Sequence, residues 1–150
     1  MASEEPRIDD PHEFYEQHEH LHNAVADLRD TIGERRASCS DLAASLRELR
    51  AYIQAHVVLE ETEGYFHEAI AHAPRLKQRA DTLQQEHPQL LLLLDQLIDH
   101  VDKGEGDGTD AWWSRAAALY EEFGNRQRDH EQNENHLLQE AYTQDTGTGD

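Results

Sequence analysis

Apolar residues recur at alternating intervals of three and four in four stretches of the chain, which is the spacing that places them on one face of a helix. The stretches cover residues 14–32, 42–60, 76–101 and 116–141. Leu, Ala, Glu, Gln and Arg, which favour helices, are frequent, whereas Val and Ile are scarce. The pattern therefore predicts four helices, each with one core-facing stripe that we call its seam.

Residues that begin or end helices separate these stretches. The candidate N-caps are Asp9 or Asp10 for the first helix (with Pro11 at a first helical position), Ser38 or Ser40 for the second, and Thr109 or Asp110 for the fourth. Ala73-Pro74 marks the second connection, and a glycine-rich loop covers residues 103–110. Short connections favour antiparallel neighbours. The expected fold is all-α, an up-down-up-down antiparallel four-helix bundle forming a single domain over 1–150, with a core at about 10–142 and polar tails at both ends.

Pro88 interrupts the third stretch. A proline inside a helix removes a hydrogen bond and disfavours helical geometry in the preceding residue. Either the third helix kinks here or a new helical segment starts at Pro88, and both outcomes leave His87 able to face inward.

Six polar residues occupy seam positions. They are His18 on the first helix, His56 and Glu60 on the second, His87 on the third, and His130 and Glu134 on the fourth. Residues four apart share a helix face, so each His-x-x-x-Glu unit directs an imidazole and a carboxylate to one point. Buried carboxylates are costly unless they are paired or bound to metal. The leading hypothesis is therefore a bundle whose six residues surround a pair of metal ions.

These residues stand in recognisable motifs. The motifs are Glu-Gln-His18-Glu-His-Leu21, His56-Val-Val-Leu-Glu60-Glu61, Gln-Glu-His87-Pro-Gln-Leu90 and His130-Glu-Gln-Asn-Glu134, with Phe66 near the end of the second helix. The pattern resembles the hemerythrin-like family, also described as the HHE cation-binding domain, over roughly residues 12–141.

The resemblance implies two iron ions bridged by Glu60 and Glu134, with the four histidines as terminal ligands. Imidazole and carboxylate ligands independently suit non-heme iron, with zinc or manganese as alternative occupants. A ferritin-type site fits less well, because it needs a Glu from each of two helices and two Glu-x-x-His motifs. Here the spacing within each helix is four.

Two positions depart from the oxygen-carrying members of that family. Those proteins have a second histidine four residues after the third-helix ligand, where this chain has Leu91, and an aspartate five residues after the last histidine, where it has Asn135. Both departures argue against reversible oxygen carriage.

Further side chains are candidates for a seventh ligand. His22, four residues after the first-helix histidine, is the first of these, followed by Glu63, Tyr65 and His67. Glu61 points about a quarter-turn away from its neighbouring ligand, and we expect it at the surface.

The formal net charge of −19 excludes whole classes of partner. Nucleic acids and anionic membrane faces both require clustered Lys and Arg. The longest strongly apolar run, Leu90 to Leu94, is too short to span a bilayer, and the N-terminus lacks the features of a signal peptide. The single Cys39 cannot form an internal disulfide. We expect a cytoplasmic protein, and the scarcity of lysine on so acidic a surface suggests a salt-rich cytoplasm.

Three functions are compatible with these residues. The first is a non-heme diiron protein that binds or senses oxygen, nitric oxide, peroxide or iron. The second is an enzyme that reduces peroxide or nitric oxide at the same centre, which the sequence does not separate from the first because both need open coordination positions. The third is a metal-free helical interaction module with a pH-sensitive histidine core.

Overall fold

The computed structural model describes residues 11–62, 65–104 and 108–147, and within these ranges it contains helices and no strand. The helices are α1 (Pro11–Gly33), α2 (Cys39–Thr62), α3 (Tyr65–Ala71), α4 (Lys77–Gln84), α5 (His87–Gly104) and α6 (Asp110–Gly147), with a 3-10 turn at Pro74–Leu76 before α4. The predicted all-α class is confirmed for the described residues. The candidate caps Asp9 and Asp10 lie outside them.

Side-chain caps begin two of the helices where the sequence predicts them. The backbone N–H of Asp41 donates to Ser38 Oγ at 3.0 Å at the start of α2. The backbone N–H of Trp112 donates to Thr109 Oγ1 at 3.1 Å at the start of α6. Each hydroxyl satisfies an N–H that has no partner within its own helix. Of the alternatives left open by the sequence, Ser38 and Thr109 are therefore the caps.

The predicted third helix is divided in two, and the division precedes Pro88. The N–H of Glu86 donates to the carbonyl of Leu83 at 3.0 Å and ends α4. The N–H of Leu90 donates to the carbonyl of Glu86 at 3.0 Å and opens α5. Pro88 thus lies in the first turn of α5, where its missing N–H removes no helical hydrogen bond. The new segment starts at His87, one residue before the expected position.

Four helices pack around the interior as neighbours: α1 with α2, α2 with α5, α5 with α6, and α6 with α1. In the pair α2 and α5, Arg50 Nε lies 2.6 Å from Asp95 Oδ1, while Arg47, earlier in α2, meets Asp102, later in α5. Contacts that run in opposite order along two helices are those expected of antiparallel neighbours.

The buried apolar side chains form two clusters. The larger cluster lies among α1, α2, α5 and α6 and contains fully buried residues such as Leu46, Leu94 and Phe123. The smaller cluster joins α3, α4 and the ends of α1 and α6 around Phe66 and Leu137. The described part of α3, Tyr65–Ala71, covers one end of the bundle.

The six polar seam residues lie between the two clusters along their helices. In α1, His18 falls between Phe14 of the smaller cluster and Leu21 of the larger one. His87, at the first position of α5, falls likewise between Leu83 and Leu90. The seams therefore bury a polar layer with apolar packing on both sides.

The outward faces carry exposed charges. Lys77 Nζ lies 3.0 Å from Asp81 Oδ1, and Arg35 Nη1 lies 2.6 Å from Asp110 Oδ1. Exposed ion pairs of this kind contribute little to stability. None of the described helices is both long and apolar enough to cross a membrane. Because the exposed ion pairs add little stability, the free energy of folding depends chiefly on the buried interior.

Replacement of a fully buried core leucine tests this conclusion. Leu97 is 0% exposed in the larger cluster, whereas Leu92 on the same helix is 55% exposed. Leu97→Ala should lower the free energy of unfolding by roughly 2–5 kcal/mol, because it removes buried methyl groups and leaves a cavity. Leu92→Ala, the matched control, should change it by about 0.5 kcal/mol or less. Urea unfolding followed by circular dichroism measures both, and equal effects would contradict the described packing.

Candidate metal centre

The predicted site residues come from four helices and converge in the polar layer. His18 is on α1, and His87 is the first residue of α5. The pair His56 and Glu60 lies one turn apart on α2, and the pair His130 and Glu134 lies one turn apart on α6. All six side chains are buried, with at most 9% of the surface of any residue exposed.

The six residues form two overlapping groups, and the glutamates belong to both. His18 and His56 with the two glutamates make one group, which we call position A. His87 and His130 with the same glutamates make the other, which we call position B. Within each group the potential ligand atoms lie within 4.8 Å of one another. The two groups are therefore adjacent and share both carboxylates.

The carboxylate oxygens are divided between the positions. Glu60 Oε2 lies 2.8 Å from His56 Nε2, and Glu60 Oε1 lies 3.0 Å from His87 Nε2. Glu134 Oε2 lies 2.9 Å from His130 Nε2, and Glu134 Oε1 lies 3.6 Å from His18 Nε2. Each glutamate thus presents one oxygen to position A and the other to position B, as a carboxylate bridging two ions must.

Several of these close atoms lack a properly directed hydrogen bond. Both carboxylate oxygens of Glu60 and of Glu134, and Nε2 of His87 and His130, are buried with no hydrogen-bond partner among the described residues. The imidazoles therefore lie within hydrogen-bonding distance of the oxygens without directing an N–H at them. Buried acceptors left in this state destabilise a fold unless something else satisfies them. Imidazole nitrogens and carboxylate oxygens are ligands that suit iron, zinc and manganese, so the donor set fits such an ion.

Three side chains bind the outer nitrogens of the imidazoles. His87 Nδ1 donates to Glu61 Oε2 at 2.8 Å, and His130 Nδ1 donates to Glu86 Oε1 at 2.7 Å. His56 Nδ1 donates to Gln17 Oε1 at 3.1 Å. Such contacts orient an imidazole and direct the lone pair of Nε2 inward.

Sequence reasoning favoured a surface role for Glu61 over contact with a metal-site residue, and it missed the other two outer partners. Glu61 was expected at the surface; its carboxylate is indeed partly exposed, but it also contacts His87. Gln17 and Glu86 were assigned no role, although each directly precedes a predicted ligand. All three lie off the seams and act across to a neighbouring helix, so the heptad pattern carries no signal for them.

The charges of this layer shift the acid–base equilibria of its members. Burial by itself lowers the pKa of His87, but the carboxylates of Glu134 and Glu60 outweigh burial and raise that pKa to about 10. At His130 the carboxylate of Glu134 likewise outweighs burial and raises the pKa to about 9. At His56 the carboxylate of Glu60 outweighs burial and raises the pKa. Burial raises the pKa of Glu60, yet the surrounding imidazoles hold it well below its usual value.

The two candidates for a seventh ligand whose side chains the structure describes do not join either group. His22 is exposed, and His67 is only half-buried on α3. Glu63 and the side chain of Tyr65 lie outside the described residues. Among the residues that the structure does describe, the two groups contain the six predicted residues and no others.

The comparisons agree with this geometry. The family model for the hemerythrin HHE cation-binding domain matches residues 9–142. The chain belongs to the hemerythrin family. A search of curated proteins and a search of solved structures found no match. Family membership together with the buried His and Glu groups indicates a metal-binding role for this hemerythrin domain.

Proton and metal ion should compete for the same nitrogen atoms. Because their pKa values are about 10 and about 9, the imidazoles of His87 and His130 are doubly protonated and positively charged in the metal-free protein at pH 7. A metal needs neutral imidazole, so Mn²⁺ binding should release protons, and its affinity should rise about tenfold per pH unit for each proton displaced. Isothermal titration calorimetry between pH 6.5 and 8.5, in buffers of different ionisation enthalpy, measures both. An affinity that does not change over this range would contradict the raised pKa values.

The raised pKa values of His87 and His130 also make the stability of the metal-free fold depend on pH. Rising pH, which favours metal binding, lowers this stability. A histidine whose pKa is higher in the folded state than in the unfolded state stabilises the fold fully below the unfolded pKa of about 6.5. That contribution is lost as pH rises through the folded values of about 9 for His130 and about 10 for His87. The free energy of unfolding of the metal-free chain should therefore fall from pH 7 to pH 10, which urea unfolding at several pH values measures.

Proposed function

We propose that this hemerythrin domain holds two iron ions, bridged by Glu60 and Glu134, and uses them to bind or sense a small ligand such as oxygen, nitric oxide, peroxide or iron itself. One observation carries the proposal. Each glutamate is buried with one oxygen facing position A and the other facing position B. Four imidazoles then complete two equal sets of terminal ligands, His18 with His56 and His87 with His130.

The donor set supports iron in particular. Two imidazoles with carboxylate oxygens and open positions are the ligand combination of many non-heme iron sites. Bound iron would supply redox chemistry toward small oxidants and nitric oxide, while the residues around it orient the ligands and exclude water. Zinc and manganese suit the same donors and are the competing occupants.

The residues of this chain favour sensing or ligand binding over reversible oxygen carriage. Leu91, at the position of a further histidine in oxygen carriers, packs against the larger apolar cluster. Asn135 stands in place of their aspartate, and its Oδ1 is buried with no hydrogen-bond partner in the described part of the chain. Both substitutions leave coordination positions for an exogenous small ligand.

A cavity lies on the outer side of His130, one of the imidazoles of position B. This cavity of about 340 Å³ between α5 and α6 is lined by Glu86, His130 and Asn133, among others. A molecule in this cavity would contact Glu86 and His130, the two residues whose hydrogen bond orients the imidazole.

We also infer that the four long helices (α1, α2, α5 and α6) alternate in direction, up-down-up-down, because the ion pairs between α2 and α5 run in opposite order.

Metal analysis tests the diiron proposal directly. After anaerobic reconstitution with Fe²⁺ and desalting, we expect about two irons per chain by inductively coupled plasma spectrometry. Glu134→Ala removes an oxygen from each position and should reduce the content to below one iron per chain. Glu121→Ala, an exposed glutamate on the same helix, should retain the wild-type content. Less than one iron per chain in the wild type would contradict the proposal.

Thermal unfolding separates a metal protein from a metal-free interaction module. An ion that binds only the folded chain stabilises it by about 2.7 kcal/mol when present at about 100 times its Kd. The Tm should therefore rise by roughly 5 °C or more when Fe²⁺ is added anaerobically, and fall again when a chelator removes it. A Tm that is insensitive to iron favours the metal-free alternative.

Turnover assays on the iron-loaded protein decide between sensing and catalysis. Sustained consumption of peroxide or of nitric oxide, with an electron donor present, would identify a reductase. Stoichiometric binding without turnover is the result that our proposal expects.

A further inference from the structure

The outer hydrogen-bond partners of the imidazoles differ between the two ion positions. At position B both imidazoles donate Nδ1–H to a carboxylate, His87 to Glu61 at 2.8 Å and His130 to Glu86 at 2.7 Å. At position A, His56 donates to the neutral amide of Gln17 at a longer 3.1 Å. The Nδ1 of the remaining imidazole, His18, is buried and has no hydrogen-bond partner among the described residues.

The difference matters because the inner ligands are equal. Each position has two imidazoles and one oxygen from each shared glutamate, so these contributions to affinity are similar on the two sides. A carboxylate that accepts Nδ1–H makes the opposite nitrogen more basic and holds the ring in place. It also adds negative charge near the ion, and a charge-assisted hydrogen bond is stronger than one to a neutral amide.

A further carboxylate near position A contributes charge there without orienting an imidazole. Glu131 is close enough for its charge to act on His18 and His56. Its Oε2, however, accepts from Gln127 Nε2 at 2.9 Å, and it holds neither imidazole. His18 is restrained instead by ring contacts, with the centroid of Phe14 at 4.2 Å and that of His56 at 4.9 Å.

We propose that Glu61 and Glu86 are positioning residues that make position B the tighter of the two ion positions, so that the ion at position A is the exchangeable one. This inference rests on the dinuclear centre proposed above. It implies a defined order, in which position B fills first and empties last. The occupancy of position A would then follow the surrounding iron concentration.

Release of iron to a chelator tests the proposal on the full chain. The protein is loaded anaerobically with Fe²⁺ and mixed with an excess of a chelator that forms a coloured ferrous complex. Wild-type protein should release one iron in a fast phase and one in a slow phase. Glu61→Gln and Glu86→Gln keep an acceptor for Nδ1–H but lose the charge, and each should accelerate the slow phase by about 10- to 100-fold while leaving the fast phase unchanged.

Two further variants make the test specific. Gln17→Glu supplies position A with the carboxylate that it lacks and should slow the fast phase by about 10- to 100-fold. Glu48→Gln removes one charge from the exposed face of α2 and should alter neither phase. If circular dichroism shows that the glutamine variants unfold, Gln17→Glu decides alone: a slower fast phase supports the proposal and an unchanged one overturns it.

The remaining outcomes separate this inference from the proposed function. Two irons released in a single phase, or glutamine variants that leave the slow phase unchanged, would overturn the inequality and leave the dinuclear centre standing. Fewer than two irons per chain before the chelator is added would overturn the centre itself.

Discussion

Two carboxylates and four imidazoles buried between apolar clusters are the constraint on which the rest of this structure depends. Glu60 and Glu134 are 3% and 1% exposed, and their oxygens have no directed hydrogen bonds among the described residues. Such groups are unfavourable in a protein interior unless opposite charge compensates them. In the metal-free chain imidazolium supplies that charge, which is why the pKa values of His87 and His130 are raised. A divalent cation at each position would supply it more completely.

The helices pack apolar side chains on both sides of the buried polar layer. The larger apolar cluster closes the bundle on one side of the layer, and the smaller cluster, with α3 and α4, closes it on the other around Phe66. Because α4 ends before His87 and α5 begins there, Pro88 lies in the first turn of α5, where no helical backbone hydrogen bond is lost. Regular helices and packed clusters on both sides therefore hold the inner residues of the site in place.

The outer contacts introduce asymmetry into a site whose six inner residues form two equivalent groups. Glu61 and Glu86 act on one pair of imidazoles, and Gln17 acts on one member of the other pair. Family membership describes the shared metal-binding framework. Individual chains can adjust the affinity for a metal, and access to it, through outer residues such as Gln17, Glu61 and Glu86. These residues lie closer to solvent and are less constrained by the core.

The sequence by itself determined the seams, and with them the all-α class and the convergence of six polar residues in one buried layer. It could do so because helical periodicity places His18, His56 and the other seam residues on inward faces whatever the detailed packing. Their role as ligands stays a proposal. Which alternative holds at Pro88, and which residues are the outer partners (Gln17, Glu61 and Glu86), followed only from the tertiary structure. Those features depend on contacts between helices, and the spacing of residues within one helix carries no information about which neighbour its flank will meet.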